Sequence, residues 1–312
     1  MTELFTVKSH KEKHAIRDVS LGDRIMVVLT YIVYGAFAFI CVYPFYYIFI
    51  NTISNNKLSE KGAVIWYPIG LHLKNYTDAF KIPNILQAAF ISSSRTVIVT
   101  LLVVLISAYL GYMFTRDTMW KRKLWFRVVI ITMYFNAGII PWYLTMMNLK
   151  LTNNFLGYVL PTLVVPFYIL LTKTYIESLP RELQEAAESD GAGVLTIFGR
   201  IILPVSQPIL STVAIFTAVG QWNAFQDTLL LMTDEKMFTL QFILYRYLQS
   251  SQSLKSIVNA TAGSAAQMLS NAQTQTSIRM TVTIIVAFPI LLIYPFFQRY
   301  FVKGIMIGAI KG

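Results

Sequence analysis

The sequence predicts an all-α polytopic membrane protein with six transmembrane helices and both termini in the cytoplasm. Two observations carry this prediction: six long apolar stretches and a one-sided distribution of the basic residues. The chain of 312 residues is 55% hydrophobic and only 13% charged, which is about half the charge of an ordinary soluble domain. This composition excludes a disordered chain, a disulfide scaffold and an ordinary cytosolic enzyme.

Each of the six apolar stretches is long enough to cross a bilayer as a helix, which takes roughly 20 residues. Each is apolar on all sides, as expected of helices that face lipid or one another. Prolines recur within them, and neighbouring helices can satisfy the carbonyls that a proline frees, so we expect bent spans. The predicted spans are Ile25–Ile50, Thr96–Phe114, Leu124–Met147, Phe155–Tyr175, Pro208–Met232 and Met280–Phe301.

The positions of the basic residues orient the chain. Sixteen of the 26 lysines and arginines fall in the N-terminal tail, the second and fourth connections with their flanks, and the C-terminus. Basic residues mark the cytoplasmic side most reliably in short connections. We therefore expect cytoplasmic tails at 1–24 and 303–312 around a six-span domain at 25–302. The net charge of +11 follows from this topology and points to membrane lipids rather than to a nucleic acid as the surroundings of the chain.

Two outer connections, 51–91 and 233–277, are unusually long. The second begins with LQFILYRYLQ, which has helical character, and continues with a stretch rich in Ser, Ala, Asn and Gln. Loops of this length are usually functional or carry their own structure. Both a solvated loop and a loop that contacts a partner protein fit this sequence.

The membrane interior gives no sign of catalysis or of ion coupling. Asp227 is the one charge that we place within a span, whereas ion-coupled carriers usually contain several buried carboxylates. The chain lacks a Gly-x-x-x-x-Gly-Lys phosphate loop and therefore lacks that kind of ATP site. We predict no catalytic residue and no metal site. An ion-coupled carrier, a channel and a membrane-embedded enzyme are the alternatives.

Polar and aromatic side chains within the third and fifth predicted spans are candidates for a substrate pathway. Amides can hydrogen-bond to sugar hydroxyls, and flat aromatic rings can stack on the apolar face of a sugar ring. The alternative is that these residues join helices to one another or anchor the protein at the membrane surface. The candidates are Tyr134, Asn136, Gln221, Trp222, Asn223, Gln226 and Asp227.

The connection between spans four and five, residues 176–207, carries the strongest signal. It contains PRELQEAAESDGAGVLTIFGRIILPVSQP, in which three glutamates share one side of a helix and a leucine and two alanines share the other. Gly191 provides a stop for that helix, and a second, apolar helix Val194–Ile202 is expected to end before Pro204. A short amphipathic helix held between two spans is suited to fit a groove in another protein.

This connection resembles the EAA signature of permease subunits in binding-protein-dependent ABC importers. Every fixed position of the signature matches at its spacing: Glu185, Ala186, Ala187, Gly191, Ile201, Leu203 and Pro204. The end of the chain, FFQRYFVKGIMIGAIKG, resembles the end of carbohydrate-importer permeases of the maltose-transporter type. The resemblance covers nearly the whole chain and is strongest to the permeases for oligosaccharides or polysaccharide fragments.

The resemblance implies a transport function without catalysis in this chain. The chain would form half of the pathway for a sugar or oligosaccharide in the plasma membrane of a prokaryote, and an extracellular binding protein would deliver the substrate. An importer of the same class for a non-sugar solute is the alternative.

The resemblance also implies partners. A second permease subunit, usually a different chain, and two copies of a cytoplasmic ABC ATPase would complete the importer. Glu185 would be the charged contact with the ATPase, the two alanines would allow close approach, and Gly191 would allow the turn. ATP and Mg²⁺ would be bound by the ATPase, and this chain would hold no cofactor.

Overall fold

A computed structural model of the chain describes residues 21–249 and 275–309. Within these residues all regular secondary structure is helical, in agreement with the predicted fold class. They fall into two units, divided between Ile48 and Phe49, and each is described by itself. Most of the outer connection predicted at 233–277, most of the N-terminal tail and the last three residues lie outside the described residues.

The described residues form a series of helices. In chain order they are α1 (Leu21–Thr52), α2 (Asn56–Glu60), α3 (Lys74–Ala79), α4 (Ile85–Met113), α5 (Arg122–Tyr134), α6 (Ile139–Asn148), α7 (Leu156–Val159), α8 (Pro166–Glu177), α9 (Glu182–Ser189), α10 (Val194–Ile197), α11 (Leu203–Val205), α12 (Gln207–Asn223), α13 (Gln226–Leu231), α14 (240–249) and α15 (Gln275–Ala309). The 3₁₀ turns are Leu160–Thr162 and Glu235–Met237, and a π-helical turn spans Phe198–Ile202.

Three of the described helices are long and apolar enough to cross a membrane, namely those at Gly22–Thr52, Ile85–Met113 and Thr276–Ile293. Three further helix pairs reach that length only when taken together, because each is bent by more than 40° at a short break. Long apolar helices of this kind define a polytopic membrane protein. The unit that ends at Ile48 consists, in its described part, of residues 21–48 of α1, which include Pro44 and whose apolar side chains are mostly exposed.

The prediction that the second span begins at Thr96 is wrong. α4 begins at Ile85 and includes the polar run that the sequence placed before the span. This run is helical because its polar groups find partners inside the protein. The Ser92 hydroxyl accepts a hydrogen bond from the Leu240 backbone N–H at 2.9 Å, and Arg95 is only 1% exposed.

The third predicted span is broken between α5 and α6, which meet at 117°. Gly138 stands at the break with φ +89°, a conformation that favours glycine. Its N–H donates to the Asn136 side-chain oxygen at 2.8 Å, which satisfies a backbone group at the break. The fourth predicted span is bent by 49° before Pro166, the first residue of α8.

The expectation that the helix beginning at Val194 ends before Pro204 is also wrong. The helix widens into the π-helical turn and then runs through Pro204 to Val205. A 79° bend follows, before α12. Pro204 follows the π-helical turn closely, and helices commonly depart from regular geometry at a proline or a π-helical turn.

α4 is the central helix of the larger unit, since it packs against both α8 and α12. Val99 and Val103 of α4 are fully buried against Val159 and Val213. Nearer its end, Gly111 lies so close to α8 that a Cβ added there would stand 2.4 Å from the Thr172 Oγ1 atom. Small residues permit such close contact between membrane helices.

Candidate functional site

Two helix breaks face one cavity of about 560 Å³. One break separates α5 from α6, and the other separates α12 from α13. Both breaks leave polar groups between otherwise apolar helices, and such irregular backbone is tolerated in membrane proteins where it lines a cavity. Five of the seven predicted pathway residues line this cavity: Asn136, Gln221, Asn223, Gln226 and Asp227.

The two aromatic candidates lie elsewhere. The Trp222 indole N–H donates to the Val286 carbonyl at 2.9 Å, so Trp222 joins α12 to α15. Tyr134 ends α5 with 81% of its surface exposed and does not line the cavity. Trp142 and Phe225, which are not among the residues predicted from the sequence, contribute to the cavity wall instead.

Arg95 is the buried cation of this site, and it is not among the residues predicted from the sequence. Its guanidinium forms a bidentate ion pair with Asp227: Nη1 donates to Oδ1 at 3.1 Å, and Nη2 donates to Oδ2. Its Nε donates to the Gln221 side-chain oxygen at 2.8 Å, and its Nη1 donates to the Ala224 carbonyl at 3.4 Å. The charge also lies over the Tyr158 ring, 4.7 Å from its centre, within the range of a cation–π contact.

Arg95 therefore fastens α4 to the break between α12 and α13. Ala224 has left the helical conformation, and its carbonyl would otherwise lack a partner in an apolar environment. Since Asp227 neutralises Arg95, this part of the cavity wall carries no net charge. A signal was available in the sequence: an arginine within an apolar region implies an acidic partner, and Asp227 is the acid that we placed within a span.

The predicted amphipathic helix is present as α9, and Gly191 lies just beyond its end with φ +77°. This is the left-handed conformation that terminates many helices, and it favours glycine. Glu185 and Ala186 are exposed, whereas Ala187 is buried. Ala187 packs with Tyr112, Ile176, Ile197 and Ile202. The close approach that Ala187 permits is therefore to its own chain, and Ala186 is the alanine left on the outer surface.

The remaining positions of the signature follow α9. Ile201 belongs to the π-helical turn and packs, partly buried, against the same cluster as Ala187. Leu203 is partly buried and Pro204 is exposed. These residues belong to the segment that connects α9 to α12, and Ile201 anchors that segment by packing against the cluster.

On the side of α9 that faces its own chain, Glu188 forms an ion pair with Arg116 of the connection after α4. Gln184 donates to the same Glu188 oxygen at 3.1 Å. The hydrogen bonds from Gln184 and Arg116 lower the pKa of the Glu188 carboxyl. The contribution of this lowered pKa to stability is present at neutral pH and is lost only as the pH falls through the lowered value.

The chain is similar over nearly its whole length to known proteins. It is 31% identical over 301 residues to Protein LplC of Bacillus subtilis (strain 168), a match that covers 96% of this chain and 99% of that protein. It is 30% identical over 294 residues to the polygalacturonan/rhamnogalacturonan transport system permease protein YtcP of the same organism, covering 94% and 100%. No family model matches the chain.

The fold has a counterpart among solved structures. A chain in the crystal structure of a bacterial ABC transporter involved in the import of the acidic polysaccharide alginate matches with a TM-score of 0.79 and 26% sequence identity. The match covers 90% of this chain and 98% of that one. Fold and site together define a polytopic membrane protein with a cavity between broken helices that is lined by amide and aromatic side chains. The chain belongs to the family of permease subunits of carbohydrate ABC importers.

Proposed function

We propose that this chain is the transmembrane permease subunit of an ATP-driven importer and forms half of the translocation pathway for an oligosaccharide. The observation that carries the proposal is the match to a transport-system permease over 94% of the chain, which includes both the cavity and α9. The named relative transports polygalacturonan and rhamnogalacturonan, and the structural counterpart takes part in alginate import. A polysaccharide fragment is therefore the proposed substrate class, in preference to a non-sugar solute.

The proposed topology has six spans, with both termini in the cytoplasm of a prokaryote and the spans in its plasma membrane. Three long apolar helices and three bent pairs support that number. Of the third pair, α12 belongs to the fifth span and the residues before it belong to the connection 176–207. The proposed division is a tail at 1–24, a permease domain at 25–302 and a tail at 303–312. The connection 176–207, which contains α9, lies on the cytoplasmic side of this topology, and the outer connections 51–91 and 233–277 lie outside.

In the proposed importer, α9 docks into a groove of a cytoplasmic ABC ATPase. Glu185 and Ala186 support this role because both are exposed. On the same helix, Ala187 is buried in the core and Glu188 is paired with Arg116. A carboxylate can pair with a basic group of the ATPase, and an alanine lets two backbones approach. Two ATPase copies, one for each permease chain, bind ATP and Mg²⁺, and this chain performs no catalysis and needs no cofactor.

The other proposed partners are a second permease subunit and an extracellular binding protein that delivers the substrate. A different chain is proposed as the second subunit, which makes the permease pair a heterodimer. Large exposed apolar side chains on several helices support burial against lipid and a partner chain. In the outer connection 233–277, residues 240–249 form α14, and this connection is the proposed contact with the binding protein.

The cavity is the proposed part of the substrate pathway that this chain supplies. Asn136, Asn223 and Gln226 offer amides to sugar hydroxyls, while Trp142 and Phe225 offer aromatic faces. This combination suits a sugar, which presents hydroxyls at its edge and C–H groups on its face. Gln221 and Asp227 serve the pathway indirectly, because both bind Arg95.

Replacing Asn223 with tryptophan is expected to block the pathway. Asn223 is exposed at the cavity wall, so an indole there fills space that the substrate needs without disturbing a packed core. We expect uptake to fall at least tenfold, roughly 1.4 kcal/mol or more, with the protein present in the membrane at its usual amount. The measurement is uptake of labelled galacturonan, alginate and neutral galactan oligosaccharides by cells that carry the complete importer.

Leu229→Trp is the matched control, since Leu229 is an exposed residue of the neighbouring α13 that does not line the cavity. It is expected to leave uptake within twofold of the wild-type rate. Unchanged uptake in the Asn223→Trp variant, for whichever oligosaccharide the wild-type importer takes up, would contradict the assignment of this cavity to the pathway.

A further inference from the structure

The connection after α4 and the side of α9 that faces its own chain meet at one ion pair. Arg116 lies three residues beyond the end of α4, and its guanidinium contacts the Glu188 carboxylate. The same guanidinium lies 5.9 Å from the centre of the Tyr112 ring, in the last turn of α4. Tyr112 itself is fully buried and packs in the cluster that contains Ala187. Arg116 and Tyr112 therefore join the end of α4 to the inner side of α9.

The two members of this pair differ in burial. The Arg116 side chain is 9% exposed, whereas the Glu188 side chain is 42% exposed. The Arg116 Nε atom is buried and has no hydrogen-bond partner among the described residues. A buried guanidinium without a carboxylate is costly, while a half-exposed carboxylate can be solvated by water. Arg116 thus depends on Glu188, and the end of α4 depends on the position of α9.

α4 extends from this pair to the cavity wall. Arg95 lies on α4 at the cavity, 18 residues before the last residue of the helix, which corresponds to about 27 Å at the rise of an α-helix. An unbroken helix moves as one body over this length, unlike the bent pairs around it. A displacement at the Arg116 end therefore reaches Arg95, and through it the break between α12 and α13.

We propose that the Arg116–Glu188 pair is the joint that passes the movement of α9 to α4 and so to the cavity wall. The inference rests on the proposed docking of α9 to an ATPase. A second path from α9 to the cavity runs along the chain through α10, the π-helical turn and α12, and it contains the 79° bend before α12. Both residues act as positioning residues, because neither contacts substrate or nucleotide.

The test uses the complete importer reconstituted in liposomes, with binding protein and the oligosaccharide that supports uptake. Glu188→Gln and Arg116→Met are each expected to lower transport per ATP hydrolysed at least fivefold, with ATPase still bound. The charge swap Arg116→Glu with Glu188→Arg is expected to recover at least half of the wild-type ratio. Recovery by the swap shows that the two charges act as a pair, and the lowered ratio with the ATPase still bound is the result that a merely structural role would not give.

Asp117→Asn is the matched control, because Asp117 belongs to the same connection but pairs with Arg122 at the start of α5. This variant is expected to keep the wild-type ratio of transport to ATP hydrolysis. Should Arg116→Met fail to assemble, Arg116→Lys replaces it, since it keeps the buried charge but loses the planar fork, and a ratio between those of Glu188→Gln and wild type is expected.

Two results would contradict the proposal that the Arg116–Glu188 pair passes movement from α9 to α4. One is a wild-type ratio of transport to ATP hydrolysis in Glu188→Gln, and the other is a charge swap that stays as uncoupled as the single variants. Failure of the proposed function gives a different result, because the wild-type chain would then neither bind an ATPase nor transport the oligosaccharide.

Discussion

Replacing Arg95 with methionine is expected to destabilise the folded protein by about 3–5 kcal/mol, because it removes one partner of a buried ion pair. The Asp227 side chain is only 14% exposed, so its charge would lose its partner without gaining much water. The Ala224 carbonyl and the Gln221 side chain would also lose a donor. The measurement is the free energy of unfolding of the purified chain in mixed micelles, together with the amount of protein in the membrane.

The double variant Arg95→Met with Asp227→Leu is the control for this prediction. It removes both charges, and replacing a whole buried pair with apolar residues costs far less than breaking it. We expect the double variant to be more stable than either single variant. A single variant as stable as the wild type, or a double variant no better than the worse single one, would contradict the pairing of these two residues.

Replacing Gly111 with leucine is expected to separate α4 from α8 and to destabilise the protein by about 1–3 kcal/mol or more, since overpacking a tight contact forces the backbone to shift. A Cβ at this position would lie 2.4 Å from Thr172 Oγ1 and 3.0 Å from the Lys173 backbone nitrogen. The Thr172 hydroxyl donates to the Ser107 carbonyl at 2.7 Å, so it cannot move aside freely. Thermal unfolding of the purified chain measures the effect.

Alanine substitutions provide the graded comparison. Gly111→Ala is expected to destabilise the protein in the same direction as leucine and by less. In Gly220→Ala, also within an apolar helix, the added Cβ meets nothing within 4 Å among the described residues. This variant is expected to be neutral or slightly stabilising, because alanine favours a helix. Equal effects of alanine at the two glycines would contradict the close contact between α4 and α8.

The sequence was sufficient where the information is local. The helical fold class and the apolar spans follow from composition and length. Gly191 could be assigned from its place after an amphipathic helix, and it adopts the left-handed conformation expected there. The break near Asn136 could have been anticipated from Gly138, whose positive φ is a local property.

The sequence was insufficient where long-range contacts decide. The run before Arg95 looks like a loop, and it becomes part of α4 because Ser92 and Arg95 bind groups more than 120 residues away. Trp222 looked like a sugar-stacking residue, but its indole binds Val286 of α15. Ala187 could not be assigned to one surface or the other, because a small apolar residue suits both a docking face and the chain's own core.

The central claim is that this chain is the permease of an importer whose ATPase docks on α9. The most direct measurement is to purify the chain from its native membrane, as wild type and as Glu185→Lys, and to identify the proteins that copurify. We predict that a nucleotide-hydrolysing subunit and a second permease accompany the wild type. The Glu185→Lys chain is predicted to insert normally and keep the second permease but lose the ATPase. A wild-type chain that purifies without an ATPase, or an ATPase that binds both forms equally, would contradict the claim.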